Sequence, residues 1–178
     1  MESQMLHVSW DPVLIGISFL VAFIAAFVSL DSAGKVAISV RQESTFWRLS
    51  GGITLGMGIW SMHFIAMLAM KMSMPLNYHL SLTALSFAIA LIAASLAIHI
   101  AISGAILSRI RLIASTIVLS MGMVAMHYVG MAAIVGHSAI IWNPGLVALS
   151  VIIAVAASGL GLRLAFSPRQ NTRQTLLN

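Results

Sequence analysis

The chain has 178 residues, 60% of them hydrophobic and 7% charged, with a mean hydropathy of +1.04, which excludes a water-soluble globular domain over its whole length. The formal charge of +5 does not point to nucleic acid, because the basic residues sit beside apolar runs and not in a patch interleaved with aromatics. Cysteine is absent, so disulfides, thiolate metal sites and thiol redox chemistry are excluded together.

In chain order, apolar runs fall near 13–30, 51–70, 82–103, 112–135 and 145–166. Each is close to the ~20 residues that cross the hydrocarbon as a helix. The fold expected is an all-α integral membrane bundle of about five transmembrane helices spanning residues 9–166, followed by a polar tail over 167–178. The first run lacks a preceding basic region and does not read as a cleaved signal peptide. Pro12 and Pro144 stand near the first turns of the first and fifth runs, where a missing backbone donor costs nothing, and Pro75 falls in a loop. Pro168 is expected to end the last helix. Eight of nine cations lie on one side: Lys35, Arg41 and Arg48, then Arg109 and Arg111, then Arg163, Arg169 and Arg173, with Lys71 alone opposite. The positive-inside rule therefore places the amino terminus outside and the tail in the cytoplasm, and Trp10, Tyr78 and Trp142 mark the outer entrances.

An internal repeat organises the chain. Residues 78–100 align without gaps on 142–164, with Leu82, Ala84, Leu85, Ser86, Ile89 and Ala90 recurring as Leu146, Ala148, Leu149, Ser150, Ile153 and Ala154. Trp10, Leu14, Ser18, Ala22 and Ala26 carry the frame back into the first run. A unit is two helices, the first opening at an outer aromatic and the second carrying a Met-His element. The spacing expects a third such histidine beyond Asn178, so the chain is expected to hold two and a half units: either two sites suffice, or a partner such as a second chain supplies the rest, or the chain is a truncated form.

The two elements read Met62-His63-Phe64-Ile65-Ala66-Met67 and Met126-His127-Tyr128-Val129-Gly130-Met131. An intramembrane histidine is costly and marks a functional site by default. Thioether sulfur and imidazole together suit copper, above all Cu(I). On a helix, His63 stacks with Met67, and Met123, His127 and Met131 form one stripe, while Met62 and Met126 sit about 100° from their histidines. If the second and fourth helices pack together, His63, His127 and the methionines Met67, Met131, Met62 and Met126 can converge on one ion. Gly58 and Gly122, five residues before each histidine, with Gly56, Ala66 and Gly130, provide the small surface for close approach. A lone His-x-x-x-Met is adequately explained by packing and hydrogen bonding. Six identities over the fourteen positions 57–70, repeated at 121–134, favour ligands instead. His99 reads as interfacial, His79 and His137 as solvated outer residues, and His7 is uninformative; Tyr128, aligned with Phe64, is a candidate to hydrogen-bond a ligand. No carboxylate lies in the interior of the second to fifth runs, and no phosphate loop, activated nucleophile or acid pair is present, so enzymatic turnover is not expected.

Over about residues 9–166 the chain resembles the MHYT family of bacterial membrane sensor domains. The resemblance rests on Trp10-Asp11-Pro12, Gly58-Ile59-Trp60-Ser61-Met62-His63-Phe64 with Met67, and Ala125-Met126-His127-Tyr128 with Gly130-Met131-Ala132-Ala133. It implies a multi-pass protein of the bacterial inner membrane, a sensory input that binds copper through Met and His and responds to a diatomic gas such as O2, CO or NO. Neither element has the signature's threonine, and only two of the usual three elements occur. Output would then pass to a separate cytoplasmic signalling partner. Two other classes fit the same residues: a copper-handling or transport protein, and an electron carrier holding haem between His63 and His127.

Overall fold

A computed structural model describes residues 9–36, 41–71, 77–103, 107–135 and 142–177, with side chains described from Glu43 onward in the second segment and up to Phe166 in the last. Among these residues, five helices are long and apolar enough to span a bilayer. They are α1 (Pro12–Lys35), α2 (Arg41–Leu68), α3 (Leu80–Ile102), α4 (Arg109–Ala132) and α5 (Pro144–Leu177). Four two-residue strands flank them: β1 (Ser9–Trp10) before α1, β2 (Met70–Lys71) and β3 (Asn77–Tyr78) between α2 and α3, and β4 (Ile134–Val135) between α4 and α5.

Helix starts follow local capping chemistry. Asp11 accepts from the backbone N–H of Val13 at 3.0 Å and Leu14 at 3.4 Å, with Pro12 inside the first turn. Ser108 accepts from Arg111 N–H, and Asn143 from Gly145 and Leu146. Each cap satisfies donors that the first turn leaves without a helical partner.

The strands were not expected, and they tie each repeat unit shut. β1 pairs antiparallel with β2, Trp10 opposite Met70; β3 pairs with β4, Tyr78 opposite Ile134. Asp11 N–H donates to Ala69 C=O at 2.8 Å, and His79 N–H to Ala133 C=O at 2.7 Å. Ala69 and Ala133 are identical in the two units and completely buried, because each forms the floor of its clasp. In the first unit a Lys71–Asp11 ion pair of 3.0 Å is added. There the Asp11 carboxyl is held below its usual range, first by the Lys71 hydrogen bond and then by the Leu14 and Val13 N–H groups.

Consecutive helices pack against one another, and small residues set their separation. Gly58 leaves no room for a side chain against Ala25 on α1, and Gly122 none against Ala93 on α3. Both contacts are therefore internal to a unit, not between the histidine helices as the sequence suggested; Gly56, in contrast, packs across units on Ala90 and Leu91 of α3. Toward the end bearing Lys35, Arg109 and Arg163, Ala94, Ala97, Ile98 and Ala101 of α3 form the core with Ala33, Leu119, Leu162 and Phe166. α3 is thus surrounded at that end.

Two boundaries differ from expectation. α2 begins at Arg41, ten residues before its apolar run, since hydropathy detects hydrocarbon and not helix ends. α5 continues through Pro168 to Leu177 instead of ending there. Proline removes one hydrogen bond, that to the Leu164 carbonyl, which a helix carrying its remaining bonds tolerates near the end of its apolar span. His7, Pro75 and His137 lie outside the described residues.

Candidate functional site

His63 and His127, 64 residues apart, meet near the clasped end of the bundle. Their Nδ1 atoms stand 3.4 Å apart, with ring centroids at 4.9 Å and planes crossed at 72°. One ring must donate and the other accept if this is a hydrogen bond. α2 and α4 touch only over a short stretch, which includes this pair and Gly130 beside His63 and Phe64.

Gly130 makes the meeting possible. A Cβ there would stand 2.8 Å from His63 Nε2 and 3.2 Å from Cδ2, so only glycine leaves the imidazole its place. The corresponding residue in the first unit is Ala66. His63 is 8% exposed, and its Nε2 is buried with no hydrogen-bond partner among the described residues. His127 is half-buried.

The methionines do not share the symmetry of the histidines. Met67 and Met126 are buried, the latter at 1% exposure, whereas Met62 and Met131 at the equivalent positions are half-buried. One enclosed sulfur therefore belongs to each helix, but at different offsets from its histidine. Among the described residues no group of three or more histidines or carboxylates forms. A metal at this pair would have methionine, or a molecule from outside, to complete its coordination.

Aromatic rings flank the pair on both sides. Phe64 stands 5.3 Å from His63 and 4.5 Å from Trp60; Tyr128 stands 5.0 Å from His127 and 4.9 Å from Trp142. Two serines at the same repeat position anchor them. Ser86 accepts from Trp60 Nε1 at 3.1 Å while donating to Thr83 C=O. Ser150 donates to Val147 C=O, which leaves Tyr128 to donate its hydroxyl to Ser150 at 3.0 Å. Tyr128 is thus committed to α5 and not to the centre. Ser86 and Ser150 are equivalent in the repeat, but the partner of Ser86 sits three residues before its histidine and that of Ser150 one residue after. His79 and His99 are both exposed.

The MHYT family profile, described as a bacterial signalling protein N-terminal repeat, matches residues 56–115 and 121–177. The chain is similar to the bifunctional diguanylate cyclase/cyclic di-GMP phosphodiesterase MucR of Pseudomonas aeruginosa, 39% identical over 97% of this chain and 25% of the relative. It is 35% identical to the signaling protein YkoW of Bacillus subtilis, over 90% of this chain and 20% of that one. The cyclic di-GMP phosphodiesterase NbdA of Pseudomonas aeruginosa is also 35% identical, over 84% and 19%. The chain spans a quarter or less of the length of these relatives, and no solved structure matches it. With two family repeats and five apolar helices, the chain belongs to the MHYT family and is a multi-pass membrane signalling domain of that type.

Proposed function

We propose that His63 and His127 hold copper and that the domain reads a diatomic gas, or the redox state of that centre, for a cytoplasmic output module. The observation that carries this reading is the 3.4 Å separation of the two Nδ1 atoms, contributed by separate repeat units. Two imidazole nitrogens each about 2.0–2.1 Å from one ion at a tetrahedral angle stand about 3.3–3.4 Å apart. Met67 and Met126 are the enclosed soft donors suited to Cu(I), and Met62 and Met131 are half-buried. Copper, when bound, supplies a redox-active centre that can accept a small ligand. The chain's own contribution is to hold one imidazole on each unit, keep the rings apart from bulk water and couple their separation to α2 and α4.

MucR and NbdA are named for cyclic di-GMP chemistry, and this chain corresponds only to a minor part of each. Its own role is non-catalytic input, passed from the ends near Arg41 and Arg109 to such a module in the same or another polypeptide. Outward placement of the clasped end follows from the cation asymmetry. Signalling requires two packings close in energy, between which ligand binding shifts the population.

The other two readings have less support. Axial imidazoles on opposite faces of a haem stand about 4 Å apart, taking about 2.0 Å per bond, and the macrocycle must fit between them. Met57 and Met121, at the same repeat position, are 48% and 57% exposed, facing outward instead of lining an internal copper path. The test is copper content of the detergent-purified chain beside a His63→Ala/His127→Ala double variant. Copper near one equivalent in the parent and lost in the variant supports the assignment; equal copper in both rejects it. A Soret band would favour haem, and vesicle uptake a transporter.

A further inference from the structure

At the end of the bundle opposite the histidines, a cleft of about 410 Å³ opens between the first turns of α2 and the last turns of α3. Its walls are Ser44, Thr45, Arg48 and Leu49 from α2 and Ser95 and His99 from α3. A guanidinium, an imidazole and three hydroxyls thus converge from two helices without a carboxylate among them. Gly52, against which Ser95 packs, brings the helices close enough for the walls to face each other.

Charge is left over here. Arg48 donates through Nε to Ser44 Oγ at 3.3 Å, which orients the guanidinium plane and leaves its terminal nitrogens for another acceptor. Among the described residues no carboxylate lies within ion-pair distance of Arg48. The acid next along α1, Asp31, is already paired with Lys35 at 2.7 Å. Glu43 is exposed and, two residues before Thr45 and five before Arg48, projects from a different side of α2. A fixed fork of N–H donors beside hydroxyls matches phosphate oxygens.

We propose that this cleft binds the phosphate of an anionic phospholipid. The lipid source, in preference to a soluble phosphate, follows from the apolar surface that continues the cleft. Leu49 and Ile53 follow one another at one-turn spacing on α2, and Ile92 and Leu96 precede Ser95 and His99 by three residues on α3; all four are exposed. A headgroup held between Arg48 and His99 lays its acyl chains on that surface, within the apolar layer. Basic pockets between transmembrane helices select anionic headgroups in this way. The site is independent of the histidine pair and of whether copper binds there.

The test is a titration of the detergent-purified full chain with phosphatidylglycerol, phosphatidylcholine and sodium phosphate, read by native mass spectrometry and thermal shift. Phosphatidylglycerol is expected to bind at least tenfold more tightly than phosphatidylcholine. Arg48→Gln should weaken it at least fivefold and His99→Leu at least twofold, with unfolding in phosphatidylcholine unchanged. Arg111→Gln, at the same end but outside the cleft, should change it less than twofold. If Arg48→Gln does not fold, His99→Leu on the other helix carries the comparison. Equal binding of the two lipids, or an Arg111→Gln effect as large as that of the cleft variants, overturns the proposal. Competition by sodium phosphate at the same concentrations as phosphatidylglycerol overturns the lipid assignment in favour of a soluble phosphate.

Discussion

Gly130→Ala places one methyl group against the ring on which the candidate centre depends. The new carbon would stand 2.8 Å from His63 Nε2, 3.2 Å from Cδ2 and 3.6 Å from Phe64 Cε2. Ordinary carbon contact begins near 3.5 Å, so relief requires the imidazole to move by about half an ångström or more. His63 is wedged by Phe64 on one side and His127 on the other, so the shift falls on the α2–α4 contact. Overpacking of this kind costs about 1–3 kcal/mol, about 2–4 °C of unfolding temperature per kcal/mol for a chain of this size. Alanine's better helix propensity recovers at most about 1 kcal/mol. Gly16→Ala and Gly161→Ala, which meet nothing within 4 Å, are the controls and should be neutral or stabilising. Thermal unfolding and copper content are measured on all three variants. Parental stability and parental copper in Gly130→Ala would refute the claim that glycine is required to seat His63.

Removing the Tyr128–Ser150 bond should loosen α5 from α4: in a cycle of Tyr128→Phe, Ser150→Ala and the double variant, a coupling of about 0.5–1.5 kcal/mol is expected from thermal or denaturant unfolding. A zero coupling would mean that packing, including the ring contact with Trp142, holds α5 to α4 without this bond. The Asp11 clasp should respond to acid. Its folded-state pKa lies below the ordinary 3.8, so its contribution is present above that value and is lost as pH falls through the lower, folded one. Hydrogen exchange at Val13 and Leu14, corrected for intrinsic rates, should therefore accelerate below about pH 4, while Asp11→Asn should flatten that dependence.

Composition and periodicity were enough to read the five helices, because hydrocarbon leaves a spanning segment little choice but a helix. The pairing of His63 with His127 was readable for a related reason: a polar ring repeated at the same depth in two units has few other polar partners. What escaped was everything fixed by backbone and not by side-chain pattern. Two-residue strands carry no period to detect, so the clasps appeared in sequence only as unexplained identities such as Ala69 and Ala133. Gly58 and Gly122 announced close approach without naming the neighbour, and that neighbour is the helix of their own unit. The unequal burial of Met67 and Met131 was invisible for the same reason, since repeat-related positions do not face equivalent surroundings: α2 packs between α1 and α3, whereas α4 packs between α3 and α5.

The hydrogen bond from Asp11 to the Ala69 carbonyl pins one tip of α2, and this fixes where the rod can pivot. Measured along the axis from Ala69, His63 is about 9 Å away and Arg41 about 42 Å away. A rigid tilt about the pinned tip therefore multiplies any displacement at the imidazole roughly fourfold to fivefold by the time it reaches the far end. The same arithmetic holds for α4, pinned at Ala133. Were the two rods to tilt about these staples, a sub-ångström movement at the rings would grow severalfold by the opposite face.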